Sequence, residues 1–138
     1  MKTAIAATAT DPAPRTFSGA ELGAAGLRAF ARIACAWGLT VDEQLNLLGH
    51  PPRSTFFGWR KAPDKANLSR DTLERLSNIV GIYKALQILL PEPSAADGWI
   101  RRPNKAPPFG GKPAIDRMLS GNVADLFVVR QYLDAQRG

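Results

Sequence analysis

TVDEQLNLLGHPPRSTFFGWRK, residues 40–61, is the stretch whose reading decides the fold. Thr40 and Glu43 form a Thr-x-x-Glu capping signature, so a helix starts after Thr40; Leu45 and Leu48 give it a short apolar face before Gly49 stops it. His50-Pro51-Pro52 makes the turn, and Ser54 offers a side-chain oxygen to cap a further short helix through about Lys61. Two short helices about a tight turn predict a helix-turn-helix, whose second helix enters the major groove with its N-terminal residues nearest the base edges. Arg53, Ser54, Thr55, Arg60 and Lys61 are the candidate DNA contacts. Phe56 and Trp59, three apart, are expected to pack inward and hold the helix at its angle. Phe57 and Gly58 then face out, where Phe57 can touch a thymine methyl and the glycine permits close approach to the backbone.

Upstream, Phe17-Ser18-Gly19-Ala20-Glu21-Leu22 reads as a helix start, with Ser18 as cap, Glu21 as its reciprocal partner and Phe17 stapling to Leu22. Leu27, Phe30, Ile33, Ala34 and Trp37 recur at three and four, a single apolar face that Gly38 ends. Cys35 reads as a small core residue of that face. Residues 1–17 have many Thr and Pro and no dense apolar centre, so they read as a disordered tail rather than a signal peptide. Downstream, Pro63 to Leu68 is a polar link. Ser69 caps the longest helix, with Asp71 and Glu74 complementing its dipole. Leu73, Leu76, Ile79, Val80, Ile82, Tyr83, Leu86 and Leu90 make a stripe wider than one packing surface, which fits a buried central helix or one that also meets a second subunit. Ile79, Ile82 and Tyr83 are the candidate dimer surface. Pro91 and Pro93 end the helix, and residues 92–97 read as a short hinge.

The next stretch, WIRRPNKAPPFGGKPAIDRMLSG, residues 99–121, collects features foreign to both helix and strand. Pro103, Pro107 and Pro108 remove donors and fix φ, which predicts an ordered but irregular loop before Gly110. Arg101, Arg102, Lys105 and Lys112 make it cationic. Trp99 and Phe109 bracket it, and they either pin the loop to the core or anchor a partner. Pro113 opens a helix of one to two turns that Gly121 closes. Asn122 caps a last helix with Asp125 at its third position, and Val123, Leu126, Phe127, Val129, Arg130 and Leu133 form a mostly apolar wall. There is no hairpin signal and no solenoid repeat.

The chain has 138 residues, enough for one compact domain or two very small ones, and a formal charge of +6. Arg53, Arg60 and Lys61 form one basic patch and the 101–112 loop another. Nucleic acid is the first candidate partner for either, since neutralised phosphates release counterions; a solvated charged surface is the alternative. Nothing approaches the roughly 20 apolar residues needed to span a bilayer, so a cytoplasmic protein that meets no membrane is expected. One His and one Cys leave no nucleophile–base pair and no paired-ligand motif, so neither an enzyme nor a metal or cofactor site is expected. Gly110-Gly111-Lys112 lacks the upstream glycine of a phosphate loop and has Pro113 where Ser or Thr would hold magnesium.

From Leu22 to Gly138 the residues resemble the Xre/MbcA/ParS antitoxins, which pair with RES-domain toxins. LGHPPRSTFFGWRKA followed by LSRDTLERLSNIVGIYKALQILLP is similar to the family's helix-turn-helix and its long following helix. GWIRRPNKAPPFGGKPAIDRMLSGNVADLFVVRQYLDAQRG is similar to its toxin-binding part. The resemblance implies an all-α fold: a tail at 1–17, an Xre-like helix-turn-helix DNA-binding and dimerisation domain at 18–92, and a small helical toxin-binding domain with an irregular basic loop at 93–138. It also implies neutralisation of an NAD+-degrading RES toxin by occlusion, and a homodimer that represses its own operon by binding operator DNA. On that basis the toxin-binding residues are Trp99, Arg101, Arg102, Pro103, Asn104, Phe109, Gly110 and Gly111, within a motif that includes Pro113, Leu119 and Gly121. Arg137 and Gly138 are expected to approach the toxin's active site. The alternatives are a helix-turn-helix transcription regulator whose C-terminal part dimerises or senses a ligand, and a structural adaptor without a DNA role.

Overall fold

The computed structural model describes residues 19–138; the 1–17 tail and the Ser18 cap lie outside the described residues. Those residues form seven α-helices and no strand, so the fold is all-α as expected. α1 (Gly19–Trp37) buries Leu27, Phe30, Ile33, Ala34 and Trp37 along one face. Cys35 is exposed, which corrects its reading as core. It lies two residues from both Ile33 and Trp37, about 200° round the helix from each, and so on the opposite side.

α2 (Val41–Leu47) starts in the capping box: Glu43 N–H donates to Thr40 Oγ1, and Thr40 N–H donates to Glu43 Oε1, both at 3.0 Å. α3 (Arg53–Lys61) does not use Ser54 as its cap. Pro52 is the cap residue: its extended backbone turns the chain and its carbonyl accepts the Phe56 N–H at 2.9 Å, which leaves Ser54 inside the first turn.

α4 (Arg70–Leu89) begins where Ser69 Oγ accepts the Thr72 N–H at 3.1 Å, as its sequence indicates. It is the central helix. α1 packs on one side of its wide stripe and α7 (Val123–Gln136) on the other. Ile79 and Ile82 are 0% exposed, so the expected dimer surface is corrected: neither has area to offer a second subunit. Tyr83 is half-buried, its ring 6.1 Å from that of Trp37. One apolar cluster runs from Leu27 through Ile79 to Leu133, so the core is continuous across residue 92.

The expected hinge at 92–97 is replaced by α5 (Pro93–Gly98). Pro91 follows the Leu90 cap of α4 and bars its continuation, whereas Pro93 suits the first position of a new helix, which Glu92 caps by accepting the Ser94 N–H at 3.1 Å. α6 (Ala114–Met118) follows the basic loop and buries Ala114, Ile115 and Met118. Asn122 stands at the cap of α7, but its side chain makes no cap bond. Ser120 intervenes: its Oγ accepts the Asn122 N–H and donates to Asp125 Oδ2 at 2.6 Å. On α7 Leu126, Val129 and Leu133 are buried, whereas Phe127 is half exposed.

The turn between α2 and α3 is fastened from two sides. Asn46 Nδ2 donates to the Leu119 carbonyl at 3.1 Å. Gly49, at φ +89°, lies so near α4 that a Cβ would stand 3.1 Å from Asp71 Oδ2 and 3.2 Å from Arg75 Nε. Arg75, buried, donates to Asp71 at 2.7 Å and to the Gly121 carbonyl at 2.8 Å. Gly49→Ala combines an unfavourable left-handed backbone with crowding of this ion pair. It is expected to cost about 1–3 kcal/mol, read as a lower urea midpoint at unchanged m-value.

Candidate functional site

The exposed side of α3 carries the residues singled out for DNA. Phe56 is 1% exposed and Trp59 half-buried, so the helix is held by these two, and Arg53, Ser54, Thr55, Phe57, Arg60 and Lys61 all face solvent. Gly58 has open space around it, which leaves this face unobstructed. Arg53 pairs with Asp42, but both partners are largely exposed, and such a pair contributes at most about 1 kcal/mol. Arg60 lies 5.8 Å over the Phe56 ring and has no ion-pair partner among the described residues. Phe57 packs edge-on against Phe56 and remains half exposed.

The second basic patch is an irregular loop with fixed internal bonds. Asn104 organises it: its N–H donates to the Lys112 carbonyl, its carbonyl accepts the Gly111 N–H at 2.7 Å, and its Oδ1 accepts the Ala106 N–H at 2.9 Å. Pro103 and Pro113 face each other in an isolated antiparallel bridge at the loop's neck. Gly110 and Gly111 have φ of +59° and +90°, with nothing near a potential Cβ. Their role is therefore the left-handed turn itself rather than close packing. Phe109 is buried and Trp99 half-buried, with the Phe109 ring 5.8 Å from Trp99 and 5.2 Å from Tyr132, so both side chains pack the loop against the core. Arg117 completes the clamp, donating to the Pro108 carbonyl at 2.7 Å and pairing with Asp125 at 2.8 Å. The tip is left with Lys105 and Lys112, exposed and unpaired among the described residues.

Two cations of the expected set are engaged internally. Arg102 folds back onto the Ala95 carbonyl at the end of α5. Arg101 reaches the N-terminal half, donating to the Trp37 and Gly38 carbonyls and pairing with Glu43 at 3.0 Å. The Arg101 guanidinium, joined by the Thr40 N–H, holds the Glu43 carboxyl below its ordinary value against the opposing pull of burial. Asp125 is likewise lowered, first by the Ser120 hydroxyl and then by Arg117. A carboxylate that is more acidic when folded stabilises fully above its unfolded pKa and loses that contribution as pH falls through its folded pKa. The melting temperature is therefore expected to fall between roughly pH 5 and 3, and Arg101→Met is expected to flatten that dependence.

Arg137 and Gly138 are exposed at the end of α7, with Arg137 3.6 Å from Asp134. Sequence reasoning singled out neither Arg75, Arg117 nor Tyr132, the side chains that fix the two patches in place. Among the described residues there is no cluster of three potential metal ligands, and no helix is long and apolar enough to cross a membrane.

Both halves match known families. The antitoxin Xre-like helix-turn-helix domain matches residues 17–81, and the antitoxin Xre/MbcA/ParS C-terminal toxin-binding domain matches residues 85–138. The uncharacterized protein y4oB of Sinorhizobium fredii (strain NBRC 101917 / NGR234) is 56% identical over 114 residues, which span 83% of this chain and 85% of that protein. With α3 presented by the first domain and the clamped basic loop by the second, the chain belongs to the Xre/MbcA/ParS antitoxins of toxin–antitoxin systems.

Proposed function

We propose that this antitoxin neutralises a RES-domain, NAD+-degrading toxin by covering its nucleotide cleft, and that it represses its own operon by docking α3 on operator DNA in the cytoplasm. The observation that carries the first half is the state of the basic loop. Its backbone is ordered by its own hydrogen bonds, and its lysines are unpaired, so little ordering is left to offset on binding. Arg102 and Arg101 support the loop, while Lys105, Lys112 and the Arg137–Gly138 end meet the toxin. The second half rests on the solvent-facing row from Arg53 to Lys61, which matches a phosphate backbone in sign. A homodimer sets two α3 helices about one helical turn apart on a palindromic operator, and its contact surface lies outside Ile79 and Ile82.

Co-expression with the product of the adjoining reading frame tests the pairing. The toxin alone is expected to be lethal, the pair to be tolerated, and the two chains to co-purify. Deletion of Arg137 and Gly138 is expected to weaken protection; undiminished protection removes those two residues from the site.

A further inference from the structure

A cavity of about 300 Å³ lies between α1 and α3, behind the surface assigned to DNA. Its floor is apolar, made by Leu27 and Phe30 of α1 and by Phe56 and Trp59 of α3. Its rim is cationic, with Arg28, Arg32 and Arg60 all exposed. Arg28 is neutralised by Asp64 at 2.6 Å, but Arg32 and Arg60 have no carboxylate partner among the described residues. Gln44 also lines the cavity and is 5% exposed. Its Nε2 donates to the Leu39 carbonyl at 3.1 Å, whereas its buried Oε1 accepts nothing. Buried amide oxygens are ordinarily paired, and this one shares its unpaired state with Asn46 Oδ1.

An apolar floor and two guanidiniums without counter-charge together select a small flat anion, whereas the Gln44 oxygen, an acceptor, calls for a donor such as a ring hydroxyl on that ligand. Cations are repelled at the rim. Metal ions find no cluster of ligands among the described residues. We infer that this cavity binds a small aromatic carboxylate, its ring against Phe30, Phe56 and Trp59 and its carboxylate between Arg32 and Arg60. The volume is at the lower end of small-molecule sites, about 300–1,000 Å³. Phe56 and Trp59 are also the side chains that hold α3 to the body, so an occupant changes the pose of α3 and with it the affinity for the operator. This coupling rests on the DNA-binding reading given above; the binding itself does not.

2-Naphthoate is the probe, titrated into the full chain while the Trp59 indole N–H is followed by NMR, with 2-naphthalenemethanol as the uncharged control. Saturable one-to-one binding is expected, with the alcohol weaker by about 10-fold or more, the equivalent of one well-placed charge contact. Arg32→Gln, on the exposed rim, is expected to remove most of that preference, and Ala31→Phe, which fills the cavity, to abolish binding. No saturable shift at Trp59, equal affinity for acid and alcohol, or undiminished naphthoate binding by Arg32→Gln overturns the proposal. Operator affinity with and without saturating naphthoate is measured separately. A change supports the coupling, whereas an unchanged affinity beside saturable binding removes the coupling alone.

Discussion

Truncation after Leu90 is expected to destroy the cooperative fold of the remaining chain, and with it DNA binding, rather than merely delete a toxin-binding module. Leu126, Val129 and Leu133 are 0–2% exposed where α7 covers α4, and Ile100, Ala114 and Met118, 0–1% exposed, belong to the same core. Each fully buried aliphatic side chain contributes about 1.5–3 kcal/mol, so stripping several from both sides of one contact exceeds a typical net stability of about 5–15 kcal/mol. The same cut removes the Gly121 carbonyl from buried Arg75 and the Arg101 guanidinium from Glu43. A shallow, non-cooperative melt by circular dichroism is the expected result. A sharp transition with operator affinity intact shows instead that residues up to 90 are an independent domain.

The double substitution Arg53→Ala/Arg60→Ala is expected to weaken operator binding by about 10² or more at moderate salt and to reduce the slope of log K against log salt by about 2, near 0.9 for each lost phosphate contact. Both side chains are exposed, and the one surface ion pair Arg53 makes is too weak to require it for stability. The melting temperature and protection against the toxin are therefore expected to stay near those of the parent. Parallel loss of DNA binding and toxin protection identifies damage to the fold rather than to a contact.

The helices, their caps at Thr40 and Ser69 and the inward pair Phe56 and Trp59 were legible because their causes are local: a hydroxyl three residues from its amide, or side chains one turn apart. Cys35 misleads because an apolar residue inside an apolar helix satisfies a loose reading of periodicity while pointing the other way. A wide stripe is silent about what covers it, so Ile79 and Ile82 fitted a subunit interface as well as the α1–α7 sandwich that buries them. Proline signals an end and a beginning alike, which is why the sequence of α5 reads equally as a hinge. The least legible features were the long-range ties. Arg101 looks like a surface cation until Glu43, 58 residues away, comes beside it. Arg75 meets Gly121 across 46 residues. The one sequence sign of the latter was an Asp71–Arg75 pair one turn apart at the edge of a stripe that is otherwise apolar.

The proposed neutralising surface is tested most directly by titrating a purified RES-domain toxin that co-purifies with this antitoxin, with NAD+ consumption as the readout, using the parent chain and Lys105→Glu/Lys112→Glu. Both lysines are exposed and unpaired among the described residues, so the variant is expected to melt as the parent does. The parent is expected to inhibit stoichiometrically and the charge-reversed loop to require at least about 10-fold more protein, a loss of about 1.4 kcal/mol in affinity. Equal inhibition by the two chains, or none by the parent, contradicts a loop that seals the cleft.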